Sequence, residues 1–202
     1  MKKLPTLFVS LGLFTLAGCG STPSPSSAHY IDPNGQRGIV NVGKINYQDF
    51  DSAAHNLVQS LINTNVIRTK ADGKPALLSI SRIINETDQQ FDTDSLVSNI
   101  RIQLLQTGKI QTITTFGLGD VQDPLAKQVA DKNAFVANSS SATPVPDYTL
   151  TGKILMDKTS AGDVKQSAYT FYMTLTDVST GTGVWEDKAP IVKQGTQSSI
   201  GF

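Results

Sequence analysis

The chain has 202 residues, with 17 basic and 17 acidic side chains, two histidines and a single cysteine. Its balanced charge argues against nucleic-acid binding, because that class of protein carries a basic patch. One cysteine excludes an intramolecular disulfide, so stability must come from packing of the apolar residues, which make up 39% of the chain. The length allows one domain beside shorter terminal segments.

The N-terminus predicts an export signal peptide over residues 1–18. Two lysines precede an uncharged, mostly apolar run that ends in Leu16-Ala17-Gly18-Cys19. This run is too short to span the roughly 30 Å hydrocarbon core of a bilayer as a helix. The pattern resembles the lipobox of bacterial lipoproteins, which implies cleavage before Cys19 and lipidation of that residue. An ordinary signal peptide that contains a cysteine is the alternative. Gly20 in place of an aspartate favours the outer membrane, by resemblance to enterobacterial sorting.

Residues 19–37 predict a lipidated, flexible tether. The segment is rich in Ser, Pro and Gly and nearly free of apolar side chains. His29 lies here and is interpreted as a solvated residue. Residues 20–46 would reach about 90 Å if fully extended. A globular domain is predicted over residues 38–195, followed by a frayed tail over residues 196–202.

Apolar residues recur with a helical period from Tyr47 to Asn63. They form one stripe, which consists of Phe50, Ala53, Ala54, Leu57, Val58, Leu61 and Ile62. Asp49 is predicted to cap the start of this helix. His55 lies off the stripe, so we expect it to be exposed and to have no catalytic role.

A strand and a second helix follow along the chain. The sequence from Ala76 to Ile84 is apolar on both faces near its ends, which predicts a central strand. The sequence from Phe91 to Leu105 carries a core-facing stripe and predicts a helix capped by Asp92 or Thr93. Three carboxylates near the start of this helix suggest a calcium-binding site. Capping and solvation explain them better, because the run lacks the glycine and the bidentate glutamate of an EF-hand loop.

The middle of the chain predicts a short strand, a turn and a short helix. Residues 110–116 indicate a strand by their β-branched and aromatic content. The Gly117-Leu118-Gly119-Asp120 sequence suggests a phosphate cradle, yet it lacks the third glycine and the Lys-Ser/Thr pair of a P-loop. A plain turn is therefore the better interpretation. A helix is predicted from Pro124 to Ala134, with Asp123 as its cap.

The last third of the chain predicts β structure. Apolar and polar residues alternate from Tyr148 to Met156 and from Tyr169 to Leu175, as in half-buried strands, and we expect the two to pair antiparallel. Trp185 is expected to close one end of the core, and Pro190 to place the last strand at an edge. The predicted fold class is α/β, of the α+β kind, with a mostly antiparallel sheet of four or five strands and flanking helices.

The sequence favours a protein without enzyme activity, metal or cofactor. Nucleophilic hydrolysis needs a serine or cysteine with a base and an orienting acid, and a zinc site needs three or four ligands. Neither pattern occurs in the sequence. Glu186 and Asp187 would point to opposite faces of a strand, so they cannot act as paired acids. A periplasmic enzyme, built on carboxylates that converge only in the fold, stays an alternative.

Several segments resemble the penicillin-binding protein activator LpoB family. They are the YQDFDSAAHNLVQSLI helix, the strand–helix unit over residues 77–109 and the hairpin over residues 169–185, which ends in Thr-Gly-x-x-x-Trp. The likeness covers most of residues 38–190. It implies an outer-membrane lipoprotein that faces the periplasm, binds a class A penicillin-binding protein and stimulates peptidoglycan synthesis. It transfers no catalytic residue and no partner-contact residue to this chain.

Two features depart from that family pattern. The tether is short for a protein that must reach a synthase in the inner membrane, and residues 117–147 differ from the family sequence. The alternative is a structural or secretion-associated periplasmic lipoprotein. Similar α/β domains occur in curli-type secretion lipoproteins and in the N-terminal domain of TolB-like proteins.

Overall fold

The structure is a computed structural model that describes residues 31–32, 39–115, 123–138 and 144–196. The predicted signal peptide, Cys19 and the Gly117–Asp120 turn lie outside these residues, as do His29 and most of the predicted tether and tail.

The first helix, α1, runs from Tyr47 to Asn63, as its apolar period predicts. Its cap is Asn46, so the prediction of Asp49 as the cap is wrong. The extended backbone of Asn46 starts the helix one turn earlier, and its side chain accepts a hydrogen bond from the Asp49 amide at 3.1 Å. The Asp49 carboxylate in turn accepts from the Asn46 amide at 2.7 Å. This reciprocal pair is a capping box.

Seven further elements follow α1. In chain order they are β1 (Ala76–Glu86), α2 (Asp94–Gln106), β2 (Ile110–Thr112), α3 (Pro124–Val136), β3 (Tyr148–Ala161), β4 (Val164–Asp177) and β5 (Thr182–Thr196). The last strand thus includes Thr196, which the sequence assigned to the tail.

The five strands form one mixed sheet in the order β2-β1-β3-β4-β5. The β1 strand pairs in parallel with both β2 and β3, whereas β3–β4 and β4–β5 are long antiparallel pairs. The interior position predicted for β1 is therefore confirmed. The edge position of the strand that carries Pro190 is confirmed as well.

Two elements are shorter than the sequence predicts. The α2 helix begins at Asp94 rather than at Phe91, because the Phe91 ring packs against Phe50 instead, with ring centroids 5.6 Å apart. The Asp92 carboxylate accepts from the Asp94 amide at 2.8 Å, and the Thr93 side chain makes no capping bond. The β2 strand ends at Thr112, so it is shorter than the apolar pattern suggests.

The core lies between one face of the sheet and the helices α1 and α2. The buried strand residues are those that alternate in the sequence, including Leu150, Ile154, Phe171 and Leu175. Trp185 belongs to the same cluster, as predicted. By contrast, α3 buries no residue, although its Asp123 cap is confirmed by a 2.9 Å bond to the Ala126 amide.

Candidate functional site

A buried ion pair joins the start of α1 to the end of β5. The Lys193 ammonium donates to the Asp49 carboxylate and, at 2.7 Å, to the Lys44 carbonyl oxygen. Lys193 is 6% exposed and Asp49 7% exposed. Two buried charges are tolerated only when they are paired and their remaining hydrogen-bonding capacity is used, and the Asn46 amide supplies one such bond to the carboxylate.

A second group of contacts, which is partly buried, lies beside this pair. The Gln89 side-chain amide donates to the Tyr169 hydroxyl at 2.6 Å and to the Gly43 carbonyl oxygen, and it accepts from the Ile45 amide at 3.3 Å. Burial raises the pKa of Tyr169 above its ordinary value of 10.0, although the Gln89 hydrogen bond opposes the shift. The Lys193 ammonium lies 5.8 Å from the centroid of the Tyr169 ring.

These contacts fix the segment through which the N-terminal part of the chain enters the domain. We call the group Asp49, Gln89, Tyr169 and Lys193 the entry network. It binds residues 43–46 through three polar contacts, two from Gln89 in the loop after β1 and one from Lys193 on β5. The network makes the entry segment part of the folded domain.

A cleft of about 580 Å³ lies at the end of the sheet where β3 begins. We call it the distal cleft. Three connections line it: residues 68–70 between α1 and β1, residues 145–148 at the start of β3, and residues 177–179 after β4. Its floor is fixed by backbone hydrogen bonds, from the Asp147 amide to the Leu77 carbonyl at 2.8 Å and from the Val178 amide to the Asp147 carbonyl at 3.0 Å.

The charged groups of the distal cleft differ in the hydrogen bonds and ion pairs that they make. The Asp147 carboxylate contacts the Lys70 ammonium at 3.0 Å and accepts from the Leu77 amide at 2.7 Å. The Asp177 carboxylate accepts from the hydroxyl and the amide of Ser179, and these bonds lower the pKa of Asp177. The exposed Arg68 guanidinium, in contrast, makes no hydrogen bond or ion pair with any residue that the structure describes. Its positive charge lowers the pKa of Asp177 by electrostatic attraction, without a direct contact.

The candidate residues of the sequence do not converge in the described part of the chain. His55 is exposed on α1, as predicted. Glu186 accepts from the Thr174 hydroxyl at 3.2 Å, whereas Asp187 accepts from Ser60 on α1. The two carboxylates thus lie on opposite faces of the sheet, which confirms that prediction.

Within the described ranges, no group of three or more His, Cys, Asp or Glu side chains is arranged to hold a metal ion. Over the same residues, no helix combines the length and the apolar character needed to cross a membrane.

Sequence reasoning did not find the entry network or the distal cleft. One signal for the network was available, because Lys193 falls in phase with Trp185, Ala189 and Ile191 on the core-facing side of β5. A charged residue in phase with a buried stripe predicts a buried partner. The cleft has no such signal, since its three walls come from connections that are distant in the sequence.

Comparison with protein families identifies the fold family of this domain. The model of the peptidoglycan-synthase activator LpoB family matches residues 49–191, which is most of the chain. The chain belongs to the LpoB family. The match spans every strand and helix except the first residues of α1 and the end of β5, so the family likeness stated from the sequence is confirmed. Among curated proteins, none matches the chain significantly.

Solved structures of LpoB are similar to the chain at low identity. The C-terminal domain of LpoB from Escherichia coli is 15% identical, over 71% of this chain and 98% of that domain, with a TM-score of 0.44. The nuclear magnetic resonance structure of E. coli LpoB is 17% identical, over 96% of each chain, with a TM-score of 0.42. Lipoprotein GNA1162 from Neisseria meningitidis is 12% identical, over 62% of this chain and 90% of that one, with a TM-score of 0.39.

Proposed function

We propose that this protein is an outer-membrane lipoprotein that binds a class A penicillin-binding protein from the periplasmic side and stimulates its synthesis of peptidoglycan. The protein acts by contact and has no enzyme activity of its own. Family membership over residues 49–191 carries this proposal, because the family is one of peptidoglycan-synthase activators.

The proposed anchor is Cys19. The Leu16-Ala17-Gly18-Cys19 sequence supports processing at that residue, and an N-terminus with several acyl chains provides the two or more hydrophobic signals that stable anchoring needs.

A reconstituted synthesis assay tests the activation. The core lies between Val42 and Ala189, and the entry network extends it to Lys193, so a fragment of residues 20–202 retains every residue that the fold needs. This fragment is added to purified class A synthases with a labelled lipid-linked precursor. We expect longer or more abundant glycan product and more crosslinking, and the fragment alone should yield none. The same product with and without the fragment, for every cognate synthase, would contradict the proposal.

Mass spectrometry of the mature protein tests the anchor. We expect acyl chains on Cys19 and no residues before it. A Cys19→Ser variant is the matched control, and it should remain unlipidated and leave the membrane fraction. An unmodified thiol in the mature wild-type chain would overturn the lipoprotein assignment.

A further inference from the structure

We propose that the distal cleft is the site at which this domain binds its synthase, through a segment of the synthase that presents an aspartate or glutamate next to an apolar side chain. This inference rests on the proposed function and names the contact surface and the chemistry of the contact. Four features of the cleft support it: its position, the fixed floor, the unengaged guanidinium and the apolar rim.

The cleft and the entry network lie at opposite ends of the sheet. Tyr148, at the first position of β3, lines the cleft, whereas Met156 on the same strand contacts Gln89 of the network at 3.6 Å. Strands rise by about 3.3 Å per residue, so the two points are about 26 Å apart along β3. The cleft is therefore at the end of the sheet opposite the contacts of residues 43–46. A partner bound there would not compete with the entry network for that segment.

The polar groups of the cleft determine the charge of the occupant. Both of its carboxylates are engaged, Asp147 by Lys70 and the Leu77 amide, and Asp177 by the donors of its own turn. Among the residues that the structure describes, the Arg68 guanidinium has no hydrogen-bond or ion-pair partner, so its N–H groups can serve as donors to an occupant. Guanidinium offers a planar fork of N–H groups that matches a carboxylate in two parallel hydrogen bonds. A carboxylate on the partner would fill that capacity.

The rim of the cleft determines what lies beside that carboxylate. Val145 is 76% exposed and Val178 is 38% exposed, and Pro146 lies next to Val145 at the mouth. An apolar side chain of the partner would remove these surfaces from water, which is favourable in proportion to the area covered. Its volume of about 580 Å³ is large enough for a few residues of extended chain.

Charge reversal at Arg68 tests the site. The full mature chain, purified in detergent, is compared with its Arg68→Glu, Arg68→Lys and Arg82→Glu variants for binding to the immobilised synthase. Arg82 is the matched control, because it is also exposed and lies on β1 outside the cleft. We expect at least a tenfold weaker affinity for Arg68→Glu, an intermediate affinity for Arg68→Lys, and a change below twofold for Arg82→Glu.

Thermal unfolding of each variant checks that the fold is intact. We expect it to be, since Arg68 is exposed and its guanidinium makes no hydrogen bond or ion pair within the described ranges. Equal loss of affinity in Arg68→Glu and Arg82→Glu, or no loss in either, would overturn the cleft as the binding site and leave the proposed function standing. A wild-type chain that binds no class A synthase would overturn the proposed function and the cleft together.

Photo-crosslinking identifies the occupant. A photoreactive amino acid replaces Val178 in the cleft rim or, as a control, Val192, which is exposed on β5. We expect the position 178 variant to crosslink to a synthase peptide that contains an aspartate or glutamate, and the position 192 variant to give no such product. Crosslinking of position 178 only to cell-wall stem peptides, or of position 192 alone to the synthase, would contradict the proposal.

Discussion

Lys193 on β5 donates to the carboxylate of Asp49 in the first turn of α1, and both side chains are almost completely buried. The two residues are separated by 144 positions in the sequence. Their pairing fixes the position of the helix start on the last strand. It also fixes the entry segment, because the same ammonium binds the Lys44 carbonyl.

Removal of one partner of this pair should destabilise the domain strongly. We expect Asp49→Ala to lower the free energy of unfolding by about 3–5 kcal/mol, because a buried ammonium is left without its counter-charge and the capping box is lost. Urea denaturation measures the change. In the double variant Asp49→Leu/Lys193→Met no charge is left buried, so it should lose much less than the sum of the single changes. Additive losses would show that the two charges act independently.

Gly152 occupies a position at which a larger residue does not fit. A Cβ atom there would lie 2.4 Å from the Tyr172 carbonyl oxygen on β4. Since the clash is with backbone, the two strands must separate, and we expect Gly152→Ala to cost about 1–3 kcal/mol in urea denaturation. Gly183→Ala is the control, because its Cβ would meet only the Thr174 methyl group at 3.6 Å. A Gly152→Ala variant as stable as Gly183→Ala would contradict the close approach.

Burial of Tyr169 predicts a loss of stability in alkali. The pKa of Tyr169 is higher in the folded chain than its ordinary value of 10.0. Its contribution to stability is therefore fully present below pH 10 and declines as the pH rises from there through the higher folded pKa. Denaturation between pH 8 and 11 measures this decline.

A Tyr169→Phe variant separates this tyrosine from the other groups that titrate in alkali. It should be about 1 kcal/mol less stable at pH 8, since the Gln89 amide loses an acceptor. The difference from wild type should shrink as the pH rises. A difference that stays constant up to pH 11 would rule out the linkage.

The apolar residues of α3 should tolerate charge without loss of stability. Leu125 and Val129 are exposed, and α3 buries no residue. We expect Leu125→Asp/Val129→Asp to change the free energy of unfolding by less than about 0.5 kcal/mol. Leu104→Ala in α2 is the contrasting variant, and it should cost about 2–5 kcal/mol because Leu104 is fully buried. A large loss of stability in the α3 variant would contradict this prediction and show that α3 contributes to the stability of the domain.

The sequence determines the regular elements of this domain more clearly than its functional surfaces. The bounds of α1 and the alternation of β3 and β4 follow from periodicity, because burial on one face repeats at the period of the element. The interior position of β1 follows instead from apolar residues on both of its faces. The helix cap was predicted at Asp49 instead of Asn46, since both residues suit the role and only the backbone decides between them.

Local pattern does not identify the partners in contacts between distant residues, even where it indicates a buried charge such as Lys193. The pairing of Asp49 with Lys193 depends on how α1 lies over β5, and no periodicity reports that. The distal cleft depends on three separate connections that meet at one end of the sheet, and Arg68 by itself is an ordinary surface residue in the sequence.

The entry network also sets how the domain responds to mechanical load. A pulling force on the chain before residue 43 reaches Gln89 and Lys193 before it reaches the first turn of α1. The tension is thereby divided between the loop after β1 and β5, the strand at the edge of the sheet. We expect the first turn of α1 to bear load only after these contacts break.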